Sequence, residues 1–158
     1  GVGISVNIYF LADPDAKIRV PGSPDAPTLS NGHCLRILLV EDEEGVRKIM
    51  RLRLEAEGYD VTEAQTGDEG YITYLAERPF DLIITDILMP GKLMGTGMIR
   101  ELRKIDSDIR TIFVSGYPRE GAIHGNGVRP EDIQLMKPVS RDYLMGAILK
   151  VLQGVPPR

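Results

Sequence analysis

With a single cysteine, Cys34, the 158-residue chain has no means of building an internal disulfide framework or a multi-cysteine zinc site. A reducing compartment is therefore the expected setting. Two histidines, His33 and His124, are too few for a histidine-rich metal site. Basic excess is missing as well: 19 Lys and Arg stand against 23 Asp and Glu, a formal net charge of −4, which argues against direct nucleic-acid binding. Wholly apolar runs such as Ile37 to Val40 last only a few residues, far short of the roughly 20 that a membrane span needs. The N-terminus carries no charged lead of a secretory signal, so a cytoplasmic location without membrane contact is expected. What is present, 42% hydrophobic and 27% charged residues, is the composition of an ordinary globular domain with an appendage.

The appendage lies at the start. Residues 4–10 alternate, with Ile4, Val6, Ile8 and Phe10 on one face, which is the period of a half-buried strand. Residues 12–34 are rich in proline, glycine and serine and read as a linker. A lone strand cannot bury its own apolar face, so residues 1–11 are read as the end of another domain. From Leu35 the chain becomes regular. Expected strands are Arg36 to Val40, Tyr59 to Glu63, Asp81 to Thr85, Thr111 to Val114 and Ile133 to Met136. Between them, Val46, Ile49, Met50 and Leu54 mark a helix closed by Gly58, and Thr66 with Glu69 forms a capping box opening a helix expected to bury Ile72, Leu75 and Ala76. Met98, Ile99, Leu102 and Ile105 mark a third helix; a last one, capped by Ser140, carries Leu144, Ala147, Ile148, Val151 and Leu152. Residues 118–130 keep little apolar periodicity, so the fourth helix is expected to be short or irregular.

Five strands alternating with helices predict an α/β three-layer sandwich whose parallel sheet is covered on both faces. The expected arrangement is the flavodoxin-like five-stranded order 2-1-3-4-5, in which strands one and three are neighbours. The domain is expected over 35–154, with 155–158 as a tail. Ligands of such sheets bind beyond the carboxyl ends of the strands, near the switch in strand order. Those ends carry Glu41 and Asp42, then Asp86, Ser115 and Lys137. Three carboxylates brought together repel unless a cation sits among them or one is protonated, and Mg²⁺ suits a site of few carboxylates and several waters. An ammonium and a hydroxyl opposite the metal fit the oxygens of a transferring phosphoryl group, and a carboxylate can itself be the nucleophile.

Val40-Glu41-Asp42, Asp86-Ile87-Leu88-Met89-Pro90, Ser115-Gly116 and Lys137-Pro138 resemble the motifs of the two-component response-regulator receiver domain, in order and on the expected strand ends. The resemblance implies that Asp86 is the phosphoacceptor, that Asp42, Asp86 and the Leu88 carbonyl bind Mg²⁺ with Glu41 acting through water, that Ser115 and Lys137 stabilise the phosphoryl group, and that the Lys137-Pro138 bond is cis. The implied partner is a histidine kinase or a histidine-phosphotransfer domain. Gly1 to Phe10 resembles the last glycine box and final strand of a histidine-kinase ATP-binding domain, and the Met89 to Gly95 loop resembles receivers of hybrid kinases, so the chain is read as the C-terminal end of such a kinase with no ATP site of its own. A stand-alone response regulator is the alternative. A haloacid-type aspartyl phosphatase would want a second aspartate where Leu88 stands, and a degenerate, non-phosphorylated receiver would lack part of the acidic set. The family's aromatic switch position is Gln134 here, and Tyr117 is the candidate substitute.

Overall fold

The computed structural model describes residues 34–116 and 127–153. The chain order is β1 (Arg36–Val40), α1 (Glu44–Ala56), β2 (Asp60–Ala64), α2 (Gly67–Glu77), β3 (Leu82–Asp86), α3 (Gly95–Leu102), β4 (Thr111–Ser115), β5 (Ile133–Met136) and α4 (Arg141–Gln153). All strand pairs are parallel and the sheet order is β2-β1-β3-β4-β5, as expected. The expected strand remnant at 1–11, the linker up to residue 33, Tyr117, His124, most of the irregular 118–130 segment and the tail lie outside the described residues.

Both faces of the sheet are covered, and the two-residue strand period divides its side chains between them. Ile37 and Leu39 of β1, Leu82 and Ile84 of β3, and Ile112 and Val114 of β4 join Met50 and Leu54 of α1 and Leu144, Ala147 and Ile148 of α4. Leu38, Val40, Ile83 and Phe113 point the other way, toward Tyr74 of α2 and Met98, Ile99 and Leu102 of α3. Each of these buried aliphatic side chains contributes about 1.5–3 kcal/mol of transfer free energy, which is why a slip of register by one residue is not tolerated.

Local signals act where they were read. Thr66 Oγ1 accepts the Glu69 N–H at 3.1 Å, and the Glu69 carboxylate accepts the Gln65 N–H at 2.7 Å, so the capping box closes one residue further out than the usual pattern. Gly58 ends α1 with φ of 86° and donates to the Glu55 carbonyl at 3.0 Å. Ser140 Oγ accepts the Tyr143 N–H at 3.3 Å at the head of α4.

Three core expectations are corrected. In α2 the buried residues are Gly67, Gly70 and Tyr74, while Ile72 is 66% exposed, Leu75 39%, and Ala76 is exposed as well. The reason is close approach: a Cβ on Gly70 would lie 2.7 Å from Met98 Sδ and 3.0 Å from Val40 Cγ2, so the glycine face sits against β1 and α3 and turns Ile72 outward. Tyr74 fills the space below, stacked 5.8 Å from Phe80, with its hydroxyl donating to Asp106 at 3.0 Å. In α1 the inward stripe is Arg47, Met50 and Leu54, with Ile49 half exposed. Ile105 lies beyond the end of α3 and is also half exposed.

Candidate functional site

The site forms where β1, β3 and β5 end. Register pairs Val40 of β1 with Thr85 of β3, so Glu41 and Asp42 leave β1 beside Asp86, the last residue of β3. Ser115 ends β4 opposite Met136 of β5, and its carbonyl accepts the Lys137 N–H at 2.7 Å. Residues separated by 96 positions thereby converge. Lys137 Nζ lies 2.6 Å from Asp86 Oδ2 and donates to Glu41 Oε1 at 2.9 Å. Its 2.8 Å approach to Glu41 Oε2 is an ion-pair contact rather than a directed hydrogen bond. The Lys137-Pro138 peptide is cis, as the resemblance implied; Arg78-Pro79, on which no expectation was placed, is cis too.

Glu41, Asp42 and Asp86 each present a carboxylate oxygen within 4.8 Å of the others. Glu41 and Asp86 are buried and Asp42 is exposed, so the group opens to solvent on one side. Burial pushes the carboxyls of Glu41 and Asp86 above their ordinary values of 4.5 and 3.8 against the pull of the Lys137 ammonium; Asp86 adds to the rise at Glu41, and Asp42 to that at Asp86. Burial alone lowers Lys137, but its bonds to Asp86 and Glu41 outweigh this and hold it above 10.5. Three carboxylates against one ammonium leave the pocket two charges short of neutral when all are ionised. That donor set, all oxygen and open on one side, fits a hard divalent cation that keeps several waters.

The loop after β3 is held from several directions. The Leu88 N–H donates to Asp86 Oδ1 at 3.1 Å, which lays that peptide against the Asp86 carboxylate. Gly95 packs on the Asp86 carbonyl with no room for a Cβ. Asp68 at the head of α2 accepts the N–H groups of Lys92 and Leu93 at 2.9 and 3.2 Å. Sequence reasoning did not single out Asp68 or Arg47, whose guanidinium sits on the Glu41 and Asp42 carbonyls. For Arg47 a signal existed: an arginine in line with Met50 and Leu54 on an amphipathic helix is either snorkelling or engaged. Gln134 is exposed on β5, paired with the buried Phe113.

A doubly wound α/β module with a cation-competent acidic pocket and an ammonium facing it at the carboxyl edge is the class that fold and site define. The chain belongs to the response regulator receiver domain family, whose sequence model matches residues 37–149. The response regulator receiver protein CpdR of Brucella abortus (strain 2308) is 35% identical over 118 residues, covering 74% of this chain and 96% of that protein. The sensor kinase CckA of the same organism is also 35% identical over 118 residues, but these cover 12% of it. The chain spans about a third to a half of the transcriptional regulators it matches, 36% of one from Bacillus subtilis and 49% of one from Porphyridium aerugineum. Among solved structures, the response regulator protein TrrA of Thermotoga maritima, in complex with Mg(2+)-BeF, is 29% identical with a TM-score of 0.66, over 75% of this chain and 99% of that one. Receiver domains act in two-component phosphorelays with histidine kinases or phosphotransfer proteins. No helix among the described residues is long and apolar enough to cross a membrane.

Proposed function

We propose that this receiver accepts a phosphoryl group from a phosphohistidine onto Asp86 in a reaction that depends on Mg²⁺. The observation that carries the reading is the convergence of Glu41, Asp42 and Asp86 within 4.8 Å, with Lys137 Nζ 2.6 Å from the Asp86 carboxylate. Asp42, Asp86 and the Leu88 carbonyl would hold the metal, with Glu41 acting through water; when bound, the cation neutralises oxygen charge on the transferring group. The rest falls to the chain's own groups. One Asp86 oxygen attacks phosphorus in line with the departing imidazole, the P–N bond breaks as the P–O bond forms, and the imidazole leaves with the electron pair. Lys137, charged throughout the neutral range, moves from balancing Asp86 to balancing the acyl phosphate. Ser115, buried at the end of β4, is assigned a hydrogen bond to the phosphoryl oxygens. The added charge of about −2 then biases the loops around the pocket.

A histidine kinase or histidine-phosphotransfer domain is the partner this chemistry calls for. The likeness to CpdR over nearly its whole length suits a stand-alone regulator, and the likeness to CckA suits a receiver joined to a kinase. Gly1-Val2-Gly3 followed by an alternating segment, then a proline-rich stretch, favours the hybrid kinase. An ATP-binding domain encoded directly before Gly1 is the expectation; a different upstream domain would remove that placement without touching the receiver. The aspartyl-phosphatase alternative stays weak, because Leu88 offers no acid where a second aspartate is wanted. The direct test is labelling by acetyl phosphate or a phosphohistidine donor in Mg²⁺. The native chain should take up one phosphoryl group and Asp86→Asn none; full labelling of Asp86→Asn would reject the assignment.

A further inference from the structure

Arg47 is an oddity on the inward stripe of α1. Its side chain is 10% exposed, yet it is not one of the residues read as facing the phosphoryl group. Nη1 donates to the Glu41 carbonyl at 2.7 Å and reaches the Asp42 carbonyl at 3.4 Å. Nε stands 3.5 Å from Glu63 Oε1 on β2, and the other Glu63 oxygen is 3.2 Å from Arg51 Nε. The guanidinium therefore bridges a neighbouring strand and the turn that carries the acidic pair.

The two carbonyls it touches belong to the peptide units on either side of the Asp42 Cα. Holding both planes restricts φ and ψ of Asp42 and so fixes the direction in which its side chain leaves the backbone. This matters because Asp42 is exposed, so packing does little to aim its carboxylate. Glu41, by contrast, is buried and tied to Lys137. We infer that Arg47, anchored by Glu63, is a positioning residue that aims Asp42 into the cation site from behind. The inference rests on the reading of that site as a Mg²⁺ site.

Charge and position pull in opposite directions here, which makes the idea testable by sign. A guanidinium beside a dication site repels the metal, so if charge alone counted, removing it would tighten binding. If aim counts, removing it weakens binding; loss of an outer-shell partner typically costs 10–100-fold in metal affinity. A purely structural arginine would change metal-free stability and leave affinity alone.

The experiment is a Mg²⁺ titration of the full 158-residue chain, followed by the amide NMR shifts of Asp42 and Asp86, with thermal unfolding in metal-free buffer alongside. Arg47→Met should weaken the Mg²⁺ Kd about tenfold or more. Glu63→Gln, which keeps the guanidinium but loosens its anchor, should weaken it about two- to fivefold. Arg47→Lys, with charge retained but no planar fork to span both partners, should fall between Arg47→Met and the native chain. Should Arg47→Met fail to fold, the Glu63→Gln and Arg47→Lys pair decides the matter. Unchanged or tighter Mg²⁺ binding in the variants, with the native chain binding normally, overturns this inference alone. A native chain that binds no Mg²⁺ overturns the reading of the site and this inference together.

Discussion

The two ends of this sheet carry similar residues to opposite effect. At the amino end of the strands, Arg36 sits among Asp60, Glu77 and Asp81, as Lys137 sits between Glu41 and Asp86 at the carboxyl end. Asp81 caps the Arg36 N–H at 2.8 Å, the guanidinium donates to the Glu77 and Pro79 carbonyls at 2.7 and 3.0 Å, and it lies 4.8 Å over the Phe80 ring. Asp60 and Glu77 are more than half exposed, so water shares the burden of their charge. At the other end Glu41 and Asp86 are 1% and 8% exposed, and burial there keeps both carboxyls above their ordinary range. The contrast teaches that charge counts do not mark a site. Acids kept from water with too few cations do, because such a group is stable only with a ligand or a proton.

Removing the cation at each end should separate the two most sharply. Lys137→Met leaves two buried carboxylates without their ammonium and is expected to cost about 3–5 kcal/mol in metal-free buffer, read as a lowered midpoint of urea unfolding. Excess Mg²⁺ should recover part of that loss. A variant as stable as the native chain without metal would mean that the carboxyl end is not strained.

Metal and pH should act on one end alone. Because Glu41 and Asp86 titrate above their unfolded values of 4.5 and 3.8, the native state holds more protons than the unfolded chain across that window. Their contribution to metal-free stability is thus present below the unfolded values and is lost as pH rises through the folded ones. At pH 7, Mg²⁺ at about 100 times its Kd should add about 2.7 kcal/mol. The thermal midpoint should therefore rise with Mg²⁺ at pH 7 and far less near pH 4. Equal Mg²⁺ effects at both would contradict the buried-acid account.

The smallest effect belongs to Arg36. Exposed ion pairs contribute about 0.2–1 kcal/mol and a cation–π contact about 0.5–1, so Arg36→Ala should lose about 1–2 kcal/mol and leave the Mg²⁺ Kd unchanged. A shifted Kd would tie the amino end to the site and blur the comparison.

Much of this was legible in the chain itself. Strand ends declare themselves where apolar runs stop at Glu41, Asp86, Ser115 and Lys137, and the alternation of strands and helices makes the sheet parallel, so all of those residues fall on its carboxyl edge. Which strands are neighbours there is a matter of strand order, which alternation alone leaves open. What could not be read was which stripe of a helix faces inward. In α2, Tyr71, Ile72, Tyr74 and Leu75 offer two apolar stripes, and only contact of Gly70 with Met98 and Val40 selects the one bearing Tyr74. Arg47 shows the same limit: its place in line with Met50 and Leu54 is periodic, but its partners, backbone carbonyls and a residue on another strand, are announced by no periodicity. Side-chain patterns record burial, whereas hydrogen bonds to backbone depend on where the fold puts each turn.

The account stands on Asp86 and its neighbours forming a metal-dependent acceptor pocket, and beryllofluoride binding followed by ¹⁹F NMR tests this most directly. The native chain should bind one equivalent in Mg²⁺ and none in EDTA, and Asp86→Asn should bind none in either. Binding that persists in EDTA, or in Asp86→Asn, would contradict it.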